Sequence, residues 1–438
     1  MPRKVLLVAW GSRGDVAPLV SLGVGLQAAG DVVSVLASRD FACMVEDAGL
    51  SYRPFDISVK AAAQSRAGRS WLGGHRTLFG EARALERVLD GFAGPLIEGL
   101  WTQTGDADLV VSGVLTVDAC ASLTHARGQA HALALLAPVL PSRRGPSSPS
   151  SIFPGRETAA NAIFGAAVLS SSYRLLRVPG DEIRGRLGHR RSTARWLRAQ
   201  LALIPTIVGA SPLIVPPAPD RPHVSLTGYW PPYAEPSSAS PSELARIETE
   251  LDVKRRDGRP VAYLGFGSMT ASDPEGTADL LVSAAARAGV HPVIGQGWGD
   301  AAPYLRHRED LTLVGDVPHD WLFSRCDTVV HHGGAGTTGS AIRAGAAQVV
   351  IAHMGDQPYW ARRVHILGVA APPVRRSGLS AQRLGASIAA ATTGPTAAQI
   401  RQRAAELALA VNTEDGVAAA VQALNPSALE GAPGGTEA

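Results

Sequence analysis

Apolar residues fall along this chain in short runs, each closed by glycine or a polar loop and followed by a stretch with helical spacing. KVLLVAW, residues 4–10, is the first such run; GSRGD closes it, and VAPLVSLGVGLQAAG then repeats apolar positions at helical intervals as far as Gly30. A run that is apolar throughout reads as a strand covered on both faces, so the unit is buried parallel strand, loop and helix. The unit returns as DVVSVLAS, the helical FACMVEDAG and SYRPF, then as ADLVVSG, a small-residue helix around ACASLTHARG, and AHALALLAP. Strands alternating with helices predict a doubly wound parallel sheet.

The alternation breaks in LIVPPAPDRPHVSLTGYWPPYAEPSSASPSE, too rich in proline and serine for either element type, and starts afresh at RPVAYLGFGSM. Helix ADLLVSAAARAG, strands HPVIGQG and LTLVGDV, helix HDWLFSRC, strand DTVVHH, helix TTGSAIRAG, strand AQVVIAH and helix QPYWARRVHILG follow. The pattern therefore predicts an α/β domain over 1–215, a linker region over 216–242, a second α/β domain over 243–410, a closing helix over 411–424 able to cross between the halves, and a frayed tail over 425–438.

At 438 residues the chain suits two large domains or three small ones, at roughly 150 residues each. Lys and Arg total 41 against 38 Asp and Glu, and the basic residues are scattered, which argues against nucleic acid as a partner. Cys43, Cys120 and Cys326 stand far apart with no CxxC spacing, so neither a disulfide framework nor a cysteine metal site is expected. The opening apolar run is too short for a signal-peptide core, and no stretch reaches the length of a membrane span. A cytoplasmic protein without an integral membrane segment, monomeric or weakly dimeric, is the expectation.

In open parallel sheets ligands bind beyond the carboxyl ends of the strands, and the residues there carry the chemistry. DTVVHHGGAGTTGSAIRAG brings His331 and His332 to a strand end, where Gly333, Gly334 and Gly336 let backbone approach a ligand and a helix starts with its N–H groups outward. An anionic phosphate suits that turn, with Thr337 and Thr338 as hydroxyl donors; the alternative is a tight turn capped by its histidines. The two histidines point to opposite faces of the strand, which disfavours a shared metal. Gly334 to Gly339, GAGTTG, also satisfies the GxGxxG dinucleotide pattern, with Asp356 about twenty residues on. On that reading the chain is an NAD(P)-dependent oxidoreductase.

GDVPHDWLFSRCDTVVHHGGAGTTGSAIRAGAAQVVIAHMGDQPYWARRVHILG, taken as one block, closely resembles the donor-site signature of family 1 glycosyltransferases, in the branch of bacterial antibiotic glycosyltransferases and sterol glucosyltransferases. VLLVAWGSRGDVAPLVSLGVGLQAAG is similar to the N-terminus of the same branch, and the likeness covers nearly the whole chain, least between Ser142 and Gln200. The resemblance implies the GT-B fold, two Rossmann-like doubly wound parallel-sheet domains facing across a cleft. It implies that His332, Gly334, Gly336 and Thr337 grip the donor diphosphate with Ser268 beside it. Backbone at Val317 would meet the nucleobase, which Trp298 would cover unless it serves in packing, and Asp356 and Gln357 would bind the donor sugar.

The same resemblance makes Asp15 the general base that takes the acceptor's proton as its hydroxyl attacks the anomeric carbon, although an aspartate here also suits a helix cap. Ser12 either orients the acceptor or shapes the loop. The implied reaction is a single displacement with inversion, from a UDP- or dTDP-sugar co-substrate, with no cofactor and no metal; Asp106 and Asp108, a DxD-like pair, precede a strand and read as its start. The acceptor walls are expected from residues 57–94 and from LLAPVLPSRRGPSSPSS, and the few charges between His131 and Pro141 favour an apolar polyketide, macrolide or sterol-like aglycone. A sugar-nucleotide-binding accessory protein without activity is the remaining alternative.

Overall fold

The computed structural model describes residues 1–68, 87–88, 91–146, 159–233, 239–265, 273–296, 302–315, 317–376 and 378–430. The chain divides into two units, one built from the described residues up to Tyr233 together with those from Glu414 on, the other from those between Ala239 and Thr413.

The first unit holds seven strands, β1 (Lys4–Ala9), β2 (Val32–Ser38), β3 (Ser51–Phe55), β4 (Leu109–Ser112), β5 (Ala130–Leu135), β6 (Thr206–Val208) and β7 (Val224–Leu226). They form one parallel sheet in the order β3-β2-β1-β4-β5-β6-β7, with Val5 of β1 beside both Val33 and Leu109. Alternation along β1 explains its continuous apolar run. Val5, Leu7 and Ala9 pack with Val16, Leu19 and Val20 of the first helix, Arg13–Ala28, while Leu6 and Val8 face Leu36, Phe55, Leu100 and Val110 on the other side.

Six strands make the second sheet: β8 (Val261–Gly265), β9 (His291–Gly295), β10 (Thr312–Val314), β11 (Thr328–His331), β12 (Ala347–Ala352) and β13 (Val374–Arg375). Their order is β10-β9-β8-β11-β12-β13, again parallel. Counted from its own first strand each sheet therefore runs 3-2-1-4-5-6, with a seventh strand added at the edge of the first, and each reverses direction beside its first strand. That reversal, between β1 and β4 and again between β8 and β11, is the topological switch point at which ligands bind in such folds.

One stretch differs from its sequence reading. Within 216–242, read as linker, β7 adds an edge strand to the first sheet. Pro219 and Pro222 masked it in the sequence, and an edge position tolerates prolines that a central strand would not. Beyond β7, Trp230 is buried, donates Nε1–H to Thr227 Oγ1 at 3.0 Å and lies so close over Gly209 that a Cβ there would stand 2.7 Å from its ring. Ser21 Oγ donates to Pro231 O and Tyr233 N–H to Ala17 O, tying this segment to the first helix.

At the C-terminal end, helix Ala397–Val411 packs within the second unit and helix Gly416–Ala423 within the first. Gly25 lets the latter approach the first helix, since a Cβ there would fall onto Val417. Arg3 bonds both carboxylate oxygens of Asp31 and, through Nη1, the carbonyl of Leu424 at 2.6 Å, while Ser211 Oγ donates to Glu414 Oε1 at 2.7 Å. No helix among the described residues is long and apolar enough to cross a membrane.

Candidate active site

One candidate site lies directly after β1 in the first unit. Gly11 has φ +139°, and a Cβ there would fall onto the Asp15 carboxylate, so the tight approach of loop and acid requires glycine. Ser12 is the N-cap of helix Arg13–Ala28, and Asp15 stands at its third position. Asp15 Oδ2 accepts from Ser12 N–H at 2.8 Å and from Ser12 Oγ at 3.1 Å, closing a capping box. The cap residue is thus Ser12, and Asp15 is the acid that completes it while remaining exposed at the switch point. Arg13, Gly14 and Asp15 form the first turn of this helix.

Trp10 follows β1 immediately and meets Phe55 and Phe92 edge-on at 5.5 and 5.6 Å between ring centroids. Composition and motif reading passed over this aromatic group. Its only sequence signal is a tryptophan placed between the strand and the glycine loop. Asp106 is paired with Arg53, and Asp108 accepts the Lys4 N–H at 2.7 Å, so the DxD-like pair is spent on strand ends.

Another candidate site, in the second unit, lies after β11. His331 is buried; its Nδ1 accepts from Gly333 N–H at 3.1 Å, which leaves Nε2 as the proton-bearing nitrogen that donates to Gln348 Oε1 at 2.9 Å. Burial pulls His331 down to about 3, so it stays a neutral strut under the turn. Gly333 has φ +89°, and a Cβ there would stand 2.8 Å from Val350. His332 is half-buried, with its Nε2 over Gly334, where a Cβ would come within 2.6 Å. Burial pulls His332 down to about 4, making it a neutral N–H donor near pH 7, and its buried Nδ1 has no hydrogen-bond partner among the described residues.

Helix Ala335–Arg343 then begins, with Gly334 as N-cap offering no side chain to the first turn. A Cβ on Gly336 would meet nothing within 4 Å, and Thr337 is part-exposed, whereas Thr338 is buried in the helix. Glycine backbone, a helix N-terminus and a neutral imidazole form a cradle for a phosphate oxygen.

After β12, Gln357 Oε1 accepts from His353 N–H at 2.8 Å and Met354 N–H at 3.1 Å. Asp356 Oδ2 accepts from Trp360 Nε1–H at 2.7 Å; burial raises the carboxyl's pKa, and the indole bond acts the other way. The sequence held a signal for this partner, since residues four apart on a helix share a face. Val317 is buried in the core beside β10, so only its backbone can meet a ligand. Ser268 and Trp298 lie outside the described residues. The second unit thus gathers His332, Gly334, Gly336 and Thr337 on one turn, and Asp356 with Gln357 at the end of the next strand.

Residues 302–424 match the family model for the erythromycin biosynthesis protein CIII-like C-terminal domain. The chain is 27% identical to a sterol 3-beta-glucosyltransferase of Komagataella phaffii over 436 residues, covering 96% of this chain and 34% of that protein. It is 29% identical to one of Emericella nidulans over 442 residues, covering 97% and 30%. Among solved structures, CalG4, the calicheamicin glycosyltransferase, superposes with TM-score 0.66 at 18% identity over 98% of both chains. The glycosyltransferase VinC in complex with DTDP gives 0.65 at 17% identity, over 98% of this chain and 99% of that one. The chain has the GT-B fold of these glycosyltransferases and is similar over nearly its whole length to the sterol 3-beta-glucosyltransferases. It spans about a third of the length of the curated relatives it matches.

Proposed function

We propose that this GT-B protein transfers a sugar from a UDP- or dTDP-sugar to a hydroxyl of an apolar acceptor, a sterol or a polyketide-like natural product, with inversion. The observation that carries the reading is the turn His331–Thr337 at the switch point of the second sheet, where an unshielded helix start and a neutral His332 suit a diphosphate. The names of the relatives, sterol glucosyltransferases and antibiotic glycosyltransferases, supply the acceptor class, and the part-exposed Trp10 and Phe92 rings, packed on the buried Phe55, offer an apolar wall on the unit that carries Asp15.

In the proposed step the acceptor oxygen forms its bond to the anomeric carbon as the bond to the diphosphate oxygen breaks, and Asp15 takes the proton. The departing diphosphate gathers charge, which the helix N–H groups and the His332 N–H stabilise; no metal or other cofactor is assigned. Ser12 holds the base in place through its bonds to Oδ2. Against the dehydrogenase reading stands topology. A dinucleotide fingerprint occupies the first strand-to-helix turn of its sheet, whereas GAGTTG follows β11, the fourth strand of its own.

The test is sugar transfer from UDP-glucose and dTDP-glucose to a panel of sterol and polyketide aglycones, with product anomers assigned by NMR. Transfer with inversion is expected; NADH binding without transfer, or nucleotide binding without any turnover, would replace this reading with one of its two rivals.

A further inference from the structure

The Asp356–Gln357 pair has already committed two of its oxygens inside the protein. Gln357 Oε1 is held by two backbone N–H groups, which orients the amide and leaves its NH2 as the end that can face a ligand. Asp356 Oδ2 is held by the indole N–H of the buried Trp360, on the same helix one turn further on. Tyr359 meets the indole edge-on at 5.2 Å, and the ring is 4% exposed, so its N–H has little freedom to turn elsewhere.

We propose that Trp360 is a positioning residue for the donor sugar: its indole N–H fixes Asp356 so that Oδ1 accepts from one sugar hydroxyl while the Gln357 NH2 donates to a neighbouring one. The fixed polarity, acceptor beside donor, selects sugars that present two adjacent hydroxyls over sugars deoxygenated at either. A hydroxyl missing on the sugar would leave one of these groups desolvated and unpaired, which discriminates more strongly than a change in apolar contact. The proposal rests on the transferase reading above, and its test separates the two.

The experiment uses the full chain with UDP-glucose or dTDP-glucose, whichever it turns over, and the matching free nucleoside diphosphate. Turnover by the unaltered protein tests the transferase reading; if it binds neither nucleotide, that reading and this proposal both fall. With turnover in hand, Trp360→Phe is expected to weaken KM for the sugar nucleotide roughly 10- to 100-fold, the worth of a hydrogen bond to a charged group, while the affinity for the free diphosphate stays within about twofold. Unchanged diphosphate affinity also reports that the variant is folded. The isosteric Asp356→Asn should show the same selective loss, and the double variant should lose no more than Asp356→Asn alone, because both act through one carboxylate. The acid limb of kcat/KM should move to higher pH in Trp360→Phe, since the lost donor stabilised the ionised acid. Equal loss of both nucleotides, multiplied losses in the double variant, or unchanged sugar-nucleotide kinetics would each overturn the proposal.

Discussion

Asp15 carries two tasks on one carboxylate: Oδ2 closes the cap of the first helix, and in the proposed reaction the same group takes a proton. The tasks can be separated chemically. Asn retains an oxygen for the Ser12 N–H but is no base, so Asp15→Asn should abolish transfer, leave nucleoside diphosphate affinity unchanged by calorimetry, and alter stability by no more than about 1 kcal/mol. His331 makes the opposite case, a residue with a purely internal role. Replacing it by Phe orphans the Gly333 N–H and removes the donor to Gln348 Oε1, and burying unpaired groups costs about 1–3 kcal/mol each. His331→Phe should therefore lower the urea midpoint and weaken diphosphate binding together. At this scale the sequence disclosed which residues gather on the turn, because the glycines and histidines are contiguous. It did not disclose that His331 faces inward while His332 Nδ1 has no partner among the described residues, since that depends on what lies across β12.

Between elements, the close approaches run through glycines. Gly180, inside helix Ala159–Arg186, faces Asp118 of helix Val117–Arg127 so closely that a Cβ would fall onto the carboxylate. That carboxylate is buried, is bonded by Ser192 Oγ at 3.1 Å, and is pushed up to about 6 by desolvation. An alanine in mid-helix normally gains up to about 1 kcal/mol over glycine. Here overpacking, about 1–3 kcal/mol, wins, and Gly180→Ala should destabilise the first unit in urea denaturation. Gly25→Leu should likewise disturb the docking of helix Gly416–Ala423 through Val417. Helix Ala159–Arg186 is also the element least legible in the sequence. It contains Pro179 followed by glycine, and a stretch of serines interrupts its apolar face. β7 was hidden for a related reason, three residues between prolines that only pairing with β6 makes into a strand.

Across the whole chain the buried histidines set the response to acid. His291, His331, His332 and His353 in the second unit are pulled down by burial to about 4, 3, 4 and 3, and His131 in the first unit to about 4. Unfolded histidine titrates near 6.5, so below that pH the unfolded chain binds protons that the folded one refuses, and stability falls as pH drops from about 6.5 towards 4. Asp118, raised to about 6 against roughly 3.9 unfolded, acts oppositely in the first unit: the folded state keeps its proton, so its contribution is lost as pH rises from about 4 to 6. Asp356, also raised, opposes the histidines in the second unit but is one group against four. Calorimetric unfolding between pH 7 and pH 4 should thus show the second unit losing melting temperature faster than the first. Equal slopes would contradict this account.

The sequence by itself determined the two parallel sheets, most of their strands and the turn that suits a phosphate. Those features are written in spacings of a few residues, where side-chain periodicity and glycine conformation act directly on the backbone. Only the tertiary structure decided which polar atoms were already engaged: Asp356 Oδ2 by Trp360, Gln357 Oε1 by the backbone at His353 and Met354, His331 by Gln348. It also decided that residues 224–226 belong to the first sheet. A hydrogen bond depends on the orientation of two groups to within a few tenths of an ångström, and that orientation is set by every element packed around them rather than by their positions along the chain.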